Sequence, residues 1–131
     1  MYMLDSNAFS ALMKHNATVV KHLRQHKSQD ICLPAIVWAE VRYGIYKKNS
    51  AKLLESAMRV LQKIRIVPFN QQTADIYAKL RSDMEKQGKS LSPMDMLIAA
   101  SAMAYQCVLV TNDQAFHRLE LDELPVEDWT V

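Results

Sequence analysis

Apolar residues fall along this chain in two alternating kinds of run, short continuous blocks and longer stretches at helical spacing. Tyr2-Met3-Leu4, Asp30-Ile31-Cys32-Leu33, Ile66-Val67 and Cys107-Val108-Leu109-Val110 read as short buried strands, and a further short strand is allowed near Val126. Between them the spacing predicts helices over Ser6 to Met13, Thr18 to Lys27, Ala35 to Tyr46, Ser50 to Ile64 and Gln71 to Gln87. In the fourth of these, Leu53, Leu54, Ala57, Leu61 and Ile64 share one side, and Gly88 ends the fifth. The best-signalled helix is Ser92 to Tyr105. Ser92 suits its N-cap, Pro93 its first helical position and Asp95 the third, in a capping-box arrangement. Strands separated by helices long enough to cross over imply a parallel sheet covered on both faces. In such α/β sheets, ligands bind beyond the carboxyl ends of the strands.

Length adds a single domain spanning residues 1–131, with no repeat, low-complexity tract or Pro/Gly-rich linker to divide it. The apolar share is half and the charged share about a quarter, the balance of a soluble globular protein. No stretch approaches the roughly 20 apolar residues of a membrane span, and an acid at Asp5 interrupts any secretory signal, so a cytoplasmic location is expected. Cys32 and Cys107, each in a strand-like segment, read as reduced, packed thiols rather than a disulfide or metal ligands. The formal charge of +2 permits a nucleic-acid substrate without arguing for one. Lys14, Lys21, Arg24 and Lys27 cluster near the N-terminus, where a solvated helix face explains them as well as an RNA surface does. Gly44 and Gly88 are the only glycines, which excludes a P-loop or a dinucleotide fingerprint.

The candidate chemistry lies in four acids, each with a plain structural alternative. Asp5 follows the first strand, at its carboxyl end, where it or Ser6 also suits a helix N-cap. Glu40 has Ile36, Val37, Tyr43 and Gly44 as helical neighbours, so its carboxylate is either partly buried or lining a cleft. Arg42, two residues away, points elsewhere on the helix and is a poor partner. Asp95 is the only charge in an otherwise apolar core helix, at the end where the dipole favours an acid. Asp113 comes directly after the Cys107–Val110 strand, with Asn112 or Asp113 suited to cap a short helix containing Phe116. In a doubly wound sheet these four places converge on one crevice. Carboxylates gathered there repel unless a cation sits among them, and oxygen ligands without His or Cys suit Mg²⁺ or Mn²⁺.

The four segments also form a recognisable series. Met3-Leu4-Asp5-Ser6-Asn7, Ala39-Glu40-Val41-Arg42-Tyr43-Gly44, Ser92-Pro93-Met94-Asp95-Met96-Leu97-Ile98-Ala99 and Leu109-Val110-Thr111-Asn112-Asp113-Gln114-Ala115-Phe116 resemble, in order, the four motifs of PIN-domain ribonucleases of the VapC toxin type. Ser6 stands where Thr is usual, which keeps the hydroxyl. The resemblance implies a Rossmann-like three-layer α/β/α fold with a mostly parallel sheet of four to five strands. It makes Asp5, Glu40 and Asp95 the main catalytic and metal-binding acids and Asp113 a fourth, with Ser6, Asn7 and Thr111 as supporting polar groups. It further implies a Mg²⁺- or Mn²⁺-dependent endoribonuclease in which metal-activated water attacks an RNA phosphodiester without a side-chain general base. Expected partners are an RNA, with initiator tRNA at its anticodon loop favoured, a cognate antitoxin and a second copy in a homodimer, all within a toxin–antitoxin hetero-oligomer.

Two other readings compete. A phosphoacceptor receiver-type domain wants paired acids after the first strand and a Lys after a late one, yet Asp5 is unpaired and no Lys follows Val110. A non-catalytic binding module of the same fold would be expected to lack acids that are all present here. Trp38, Tyr43 and Tyr46 read as core or partner-groove residues rather than a base-stacking platform. Trp129 is expected to anchor the C-terminal end. The methionines are expected mainly to fill core gaps, with Met13, Met58 and Met84 available to an adaptable interface.

Overall fold

The computed structural model describes all residues from 1 to 131. Five strands, β1 (Tyr2–Leu4), β2 (Ile31–Pro34), β3 (Arg65–Val67), β4 (Val108–Val110) and β5 (Val126–Glu127), form one sheet in the order β3-β2-β1-β4-β5. Every neighbouring pair is parallel, with Met3 opposite both Cys32 and Leu109. The central strands are short apolar blocks because both of their faces are covered. Met3, Leu4, Ile31, Cys32, Leu33 and Leu109 are fully buried, in one core cluster with Phe9, Val37, Ile98, Phe116 and Trp129.

The connections are helical: α1 (Ser6–Met13) and α2 (Ala17–Arg24) between β1 and β2, then α3 (Ala35–Lys48) and α4 (Ala51–Leu61) before β3. From β3 the chain returns through α5 (Gln71–Lys86) and α6 (Pro93–Ala104) to β4, and α7 (Gln114–His117) leads towards β5. Right-handed crossovers place the helices of the β1→β2→β3 half on one face and those of the return on the other. The chain therefore moves away from β1 in opposite directions in its two halves. The resulting switch point lies at the carboxyl ends of β1 and β4, where an open α/β sheet makes its crevice.

Local chemistry explains the helix boundaries. Asn16 caps α2 through Thr18 and Val19, Ser50 caps α4 through Leu53, and Asn70 caps α5 through Thr73. Asn49 ends α3 in the left-handed conformation, at φ 47°. Helix α2 stops three residues short of the expected Lys27, because Gln25 caps it and a single 3₁₀ turn over Ser28–Asp30 leads into β2.

Three further expectations need correction or completion. Cys107 precedes β4 rather than lying in it, its amide bonded to the Ala102 carbonyl that closes α6. Its sulfur still lies 3.9 Å from that of Cys32, and both thiols are free and buried. The Cys107 thiol and burial push the Cys32 thiol well above its ordinary range, while the hydrogen bond with Cys32 lowers that of Cys107. Of the core and partner-groove alternatives, Tyr43 and Tyr46 do not take the first. They are 65% and 71% exposed, whereas Trp38 packs edge-on against Phe9. Trp129 does anchor the chain end, stacked against His22 and His26 of the α2 region. Of the three methionines named for an interface, Met84 is buried in the core, Met13 is half-buried against it and Met58 is exposed.

Candidate functional site

Asp5 is the centre of the crevice. It is 3% exposed, directly after β1, and its amide donates to the Val110 carbonyl, extending the β1–β4 ladder by one residue. Its Oδ1 accepts the Ala8 amide at 2.8 Å, so the acid caps α1. That cap is the structural role expected of it, yet it does not balance the burial. Desolvation raises the carboxyl above its ordinary value, the Thr111 and Ala8 hydrogen bonds oppose the rise, and the charges of Asp113 and Asp95 add to it.

Asp113 repeats the arrangement one strand over. Its Oδ1 caps α7 through the Ala115 amide at 2.9 Å. Its own amide donates to the Thr111 hydroxyl at 3.0 Å. Thr111, itself buried, thus accepts from the Asp113 amide, and the same hydroxyl acts to lower the pKa of Asp5. The Thr111 carbonyl lies 2.9 Å from His117 Nε2, which as a donor pins the loop from the far side. His117 carried no sequence signal for this part, because the contact spans six residues and depends on the α7 turn.

Asp95 enters from the first turn of α6. Its amide donates to Ser92 Oγ at 3.1 Å, the first half of the capping box. Its carboxyl, half-buried, is raised by desolvation, lowered by the Ser92 hydroxyl and raised again by Asp113. Glu40 comes from the middle of α3, and here the structure leaves a gap. Glu40 Oε1 is buried and has no hydrogen-bond partner. Burial raises its pKa first, then Asp95, then Asp5. Arg42 is engaged with Tyr46, donating to its hydroxyl at 2.7 Å and lying over its ring.

All four predicted acids thus share one electrostatic neighbourhood, delivered by β1, α3, α6 and the β4–α7 loop. None takes part in an ion pair; the three salt bridges of the chain join Arg59 to Glu55, Lys79 to Asp83 and Arg81 to Glu85 on exposed helix faces. Of the supporting groups, Asn7 donates to Asn112 Oδ1 at 3.4 Å across the mouth of the crevice, and Thr111 bridges as described. Ser6 lines the adjoining cavity but makes no hydrogen bond to the acids. That cavity, about 330 Å³, opens beside Glu40 between α1, α3 and α4.

An orphaned carboxylate oxygen among like charges calls for a cation. The donors are all oxygen, with no His or Cys among them, which fits Mg²⁺ or Mn²⁺ rather than zinc. No three of the chain's His, Cys, Asp or Glu side chains are drawn tightly enough to grip an ion as they stand. The donor set therefore fits an ion that keeps several waters and meets one or two carboxylates directly, the usual habit of Mg²⁺.

Comparison with known proteins identifies the family. The PIN domain family model matches residues 2–121. The chain is 32% identical to "Ribonuclease VapC2" of Rickettsia felis, over 98% of this chain and 97% of that one. It is 34% identical to "Toxin FitB" of Neisseria gonorrhoeae, over 86% and 88% of the two chains. Among solved structures, VapBC2 from Rickettsia felis, bound to a DNA fragment from its promoter, superposes with a TM-score of 0.89 at 30% identity and 98% coverage of both chains.

Proposed function

The chain belongs to the PIN-domain family, and on that premise we propose that it is a metal-dependent endoribonuclease, the toxin of a toxin–antitoxin pair. The observation that carries this reading is the buried, unpartnered Glu40 Oε1 beside three further acids with no protein cation among them. A receiver-type signalling domain offers no account of that oxygen.

Asp5, Glu40 and Asp95 are the groups that hold Mg²⁺ or Mn²⁺, with Asp113 as the fourth acid. Such an ion, when bound, makes water nucleophilic near neutral pH and stabilises charge on the attacking and leaving oxygens of a phosphodiester. The protein's share is orientation and exclusion. Asp5 Oδ1 is held by the Ala8 amide at the start of α1, and the Thr111 hydroxyl favours its ionised form. Thr111 and His117 hold the loop that carries Asp113. Asn7 and Asn112 present amide groups at the rim, within reach of a phosphate or ribose. No imidazole or amine stands among the acids to act as a general base. The resemblance to PIN-domain ribonucleases implies that cleavage leaves a 5′-phosphate and a 3′-hydroxyl.

Residues 1–131 act in this reading as one domain. The names of the relatives support an RNA substrate and a protein antitoxin, and the resemblance makes initiator tRNA, cut in its anticodon loop, the first RNA to test. A homodimer within a toxin–antitoxin hetero-oligomer and a cytoplasmic site of action complete the proposal; no helix is long and apolar enough to cross a membrane.

The test is incubation of purified protein with bulk tRNA in Mg²⁺ or Mn²⁺, in EDTA, and as Asp5→Asn. Discrete fragments that vanish with EDTA and with the substitution support the proposal, and their ends identify the target. Cleavage that survives both treatments refutes the acidic centre.

A further inference from the structure

The cavity beside Glu40 has a direction. On α3, Glu40, Gly44 and Lys48 stand four residues apart and so share one face. On α1 and its C-cap, Asn7, Ser10 and Lys14 are three and four residues apart and line the facing wall. Both walls run from the acidic centre at one end, through a small residue, to a lysine at the other. Val41 and Leu53 supply apolar surface between them. The distance along α3 from Glu40 to Lys48 is about 12 Å at the helical rise, beyond the reach of a single phosphate.

Helix dipoles account for part of this, since Lys48 lies in the last turn of α3 and Lys14 caps α1. They do not account for Gly44. A glycine in mid-helix is unfavourable relative to alanine. Beyond its own helix backbone and its two chain neighbours, a Cβ added at Gly44 would meet no atom within 4 Å, so tertiary packing does not demand the glycine. What it leaves room for lies outside the chain. Lys14 and Lys48, for their part, are exposed and take part in no ion pair.

We propose that the α1–α3 groove binds the RNA strand on one side of the scissile phosphate, with Lys14 and Lys48 contacting a flanking phosphate and the bare backbone at Gly44 admitting the ribose between. The assignment rests on the endoribonuclease reading and adds to it the path of the substrate. An ammonium group beside each wall supplies the counter-charge that a phosphate requires, and an acidic centre alone would repel RNA.

The experiment measures binding without turnover. Fluorescein-labelled single-stranded RNA of mixed sequence is titrated by anisotropy, in EDTA, at several salt concentrations. The proteins are wild type, Lys14→Gln/Lys48→Gln, Gly44→Ala and, as an equal-charge control, Lys86→Gln/Lys89→Gln on and beyond the far end of α5. The groove double variant is expected to bind about tenfold more weakly at low salt, with a salt slope shallower by about 0.7, the value for one single-strand phosphate contact. The control keeps the wild-type slope. Gly44→Ala raises the thermal midpoint by about 2–5 °C while weakening RNA binding several-fold, a combination that damage to the fold cannot produce. Wild-type affinity and slope in the groove double variant, with wild-type cleavage intact, overturn the groove and leave the nuclease standing. An equal loss in the control, or unchanged binding by Gly44→Ala, also overturns it. Wild-type protein that neither binds nor cleaves RNA removes the nuclease reading and the groove with it.

Discussion

Thr111→Val tests whether one buried hydroxyl holds the acidic centre together. The substitution keeps the shape of the side chain and removes its hydroxyl. The Asp113 amide loses its acceptor at 3.0 Å, and the Asp5 carboxylate loses one of the two protein donors that oppose its desolvation. Leaving a buried donor unpaired costs about 1–3 kcal/mol, and a bond to a charged group is worth about 1.5–3 kcal/mol. Burying a methyl in place of the hydroxyl returns about 1 kcal/mol. The net expectation is a loss of about 1–3 kcal/mol, a sizeable part of a typical stability of about 5–15 kcal/mol. Urea unfolding of metal-free protein measures it directly. Because one of the lost bonds serves the ionised form of Asp5, the loss should be larger near neutral pH than in mild acid. Thr111→Ser keeps both bonds and should show no such pH dependence. A valine variant within about 0.5 kcal/mol of wild type, or a deficit that is the same at both pH values, would refute the bridging role.

Glu40→Gln should lower the cleavage rate by about 10²–10³-fold, on the scale of removing one electrostatic stabiliser, while unfolding in urea shows equal or greater stability. For metal-free wild type, burial raises the pKa of Asp5, Glu40 and Asp95, so the native state binds more protons than the unfolded chain. Stability should therefore rise as pH falls from neutrality through those raised values, with the gain complete below the ordinary 3.8 and 4.5 of the unfolded groups. Asp128, where burial raises the pKa but two hydrogen bonds from Thr130, with the nearby His117 and His22, together lower it further, has the opposite sign and acts only further into acid. A urea midpoint that falls steadily on acidification from about pH 7.5 would contradict the assignment. Mg²⁺ at about ten times its dissociation constant should stabilise the protein by about 1.4 kcal/mol, or about 2–5 °C in a thermal melt. Glu40→Gln should reduce that shift, and an equal shift in both proteins would place the ion elsewhere.

The strands were legible because each is a short apolar block between helical stretches, and parallel pairing followed from the length of the crossovers. Asp5 and Asp113 were legible for the same reason, since a residue directly after a strand lies at its carboxyl end whatever the register. Glu40 and Asp95 were harder. Their approach to Asp5 depends on α3 and α6 lying against opposite sides of the switch point, a consequence of the β3-β2-β1-β4-β5 order that no local pattern encodes. Tyr43 and Tyr46 show the limit of periodicity. Helix α3 carries apolar residues around most of its circumference, so spacing marks a stripe without saying which stripe faces the sheet. Val37 and Ile45 are buried and the two tyrosines are not. The meeting of Cys32 with Cys107 and that of His117 with the Thr111 carbonyl are likewise products of tertiary packing.

The four acids differ in what else they do, and that difference bears on how they should be tested. Asp5 and Asp113 each cap a helix, and the Asp95 amide is held by the Ser92 hydroxyl at the start of α6. Alanine at Asp5 or Asp113 would remove a cap worth about 1 kcal/mol along with a charge, so lost activity could reflect a displaced helix. Asparagine keeps the cap and is the informative replacement at both positions. Glu40 has no such second duty: it lies in mid-helix, caps nothing, and its buried oxygen bonds to nothing in the chain. In the folded apoprotein its charge is a cost, from burial and from Asp95 and Asp5, with no structural return. On the proposed reading, a bound metal ion relieves that cost. Of the four, Glu40 therefore separates a metal centre from a set of helix caps most cleanly.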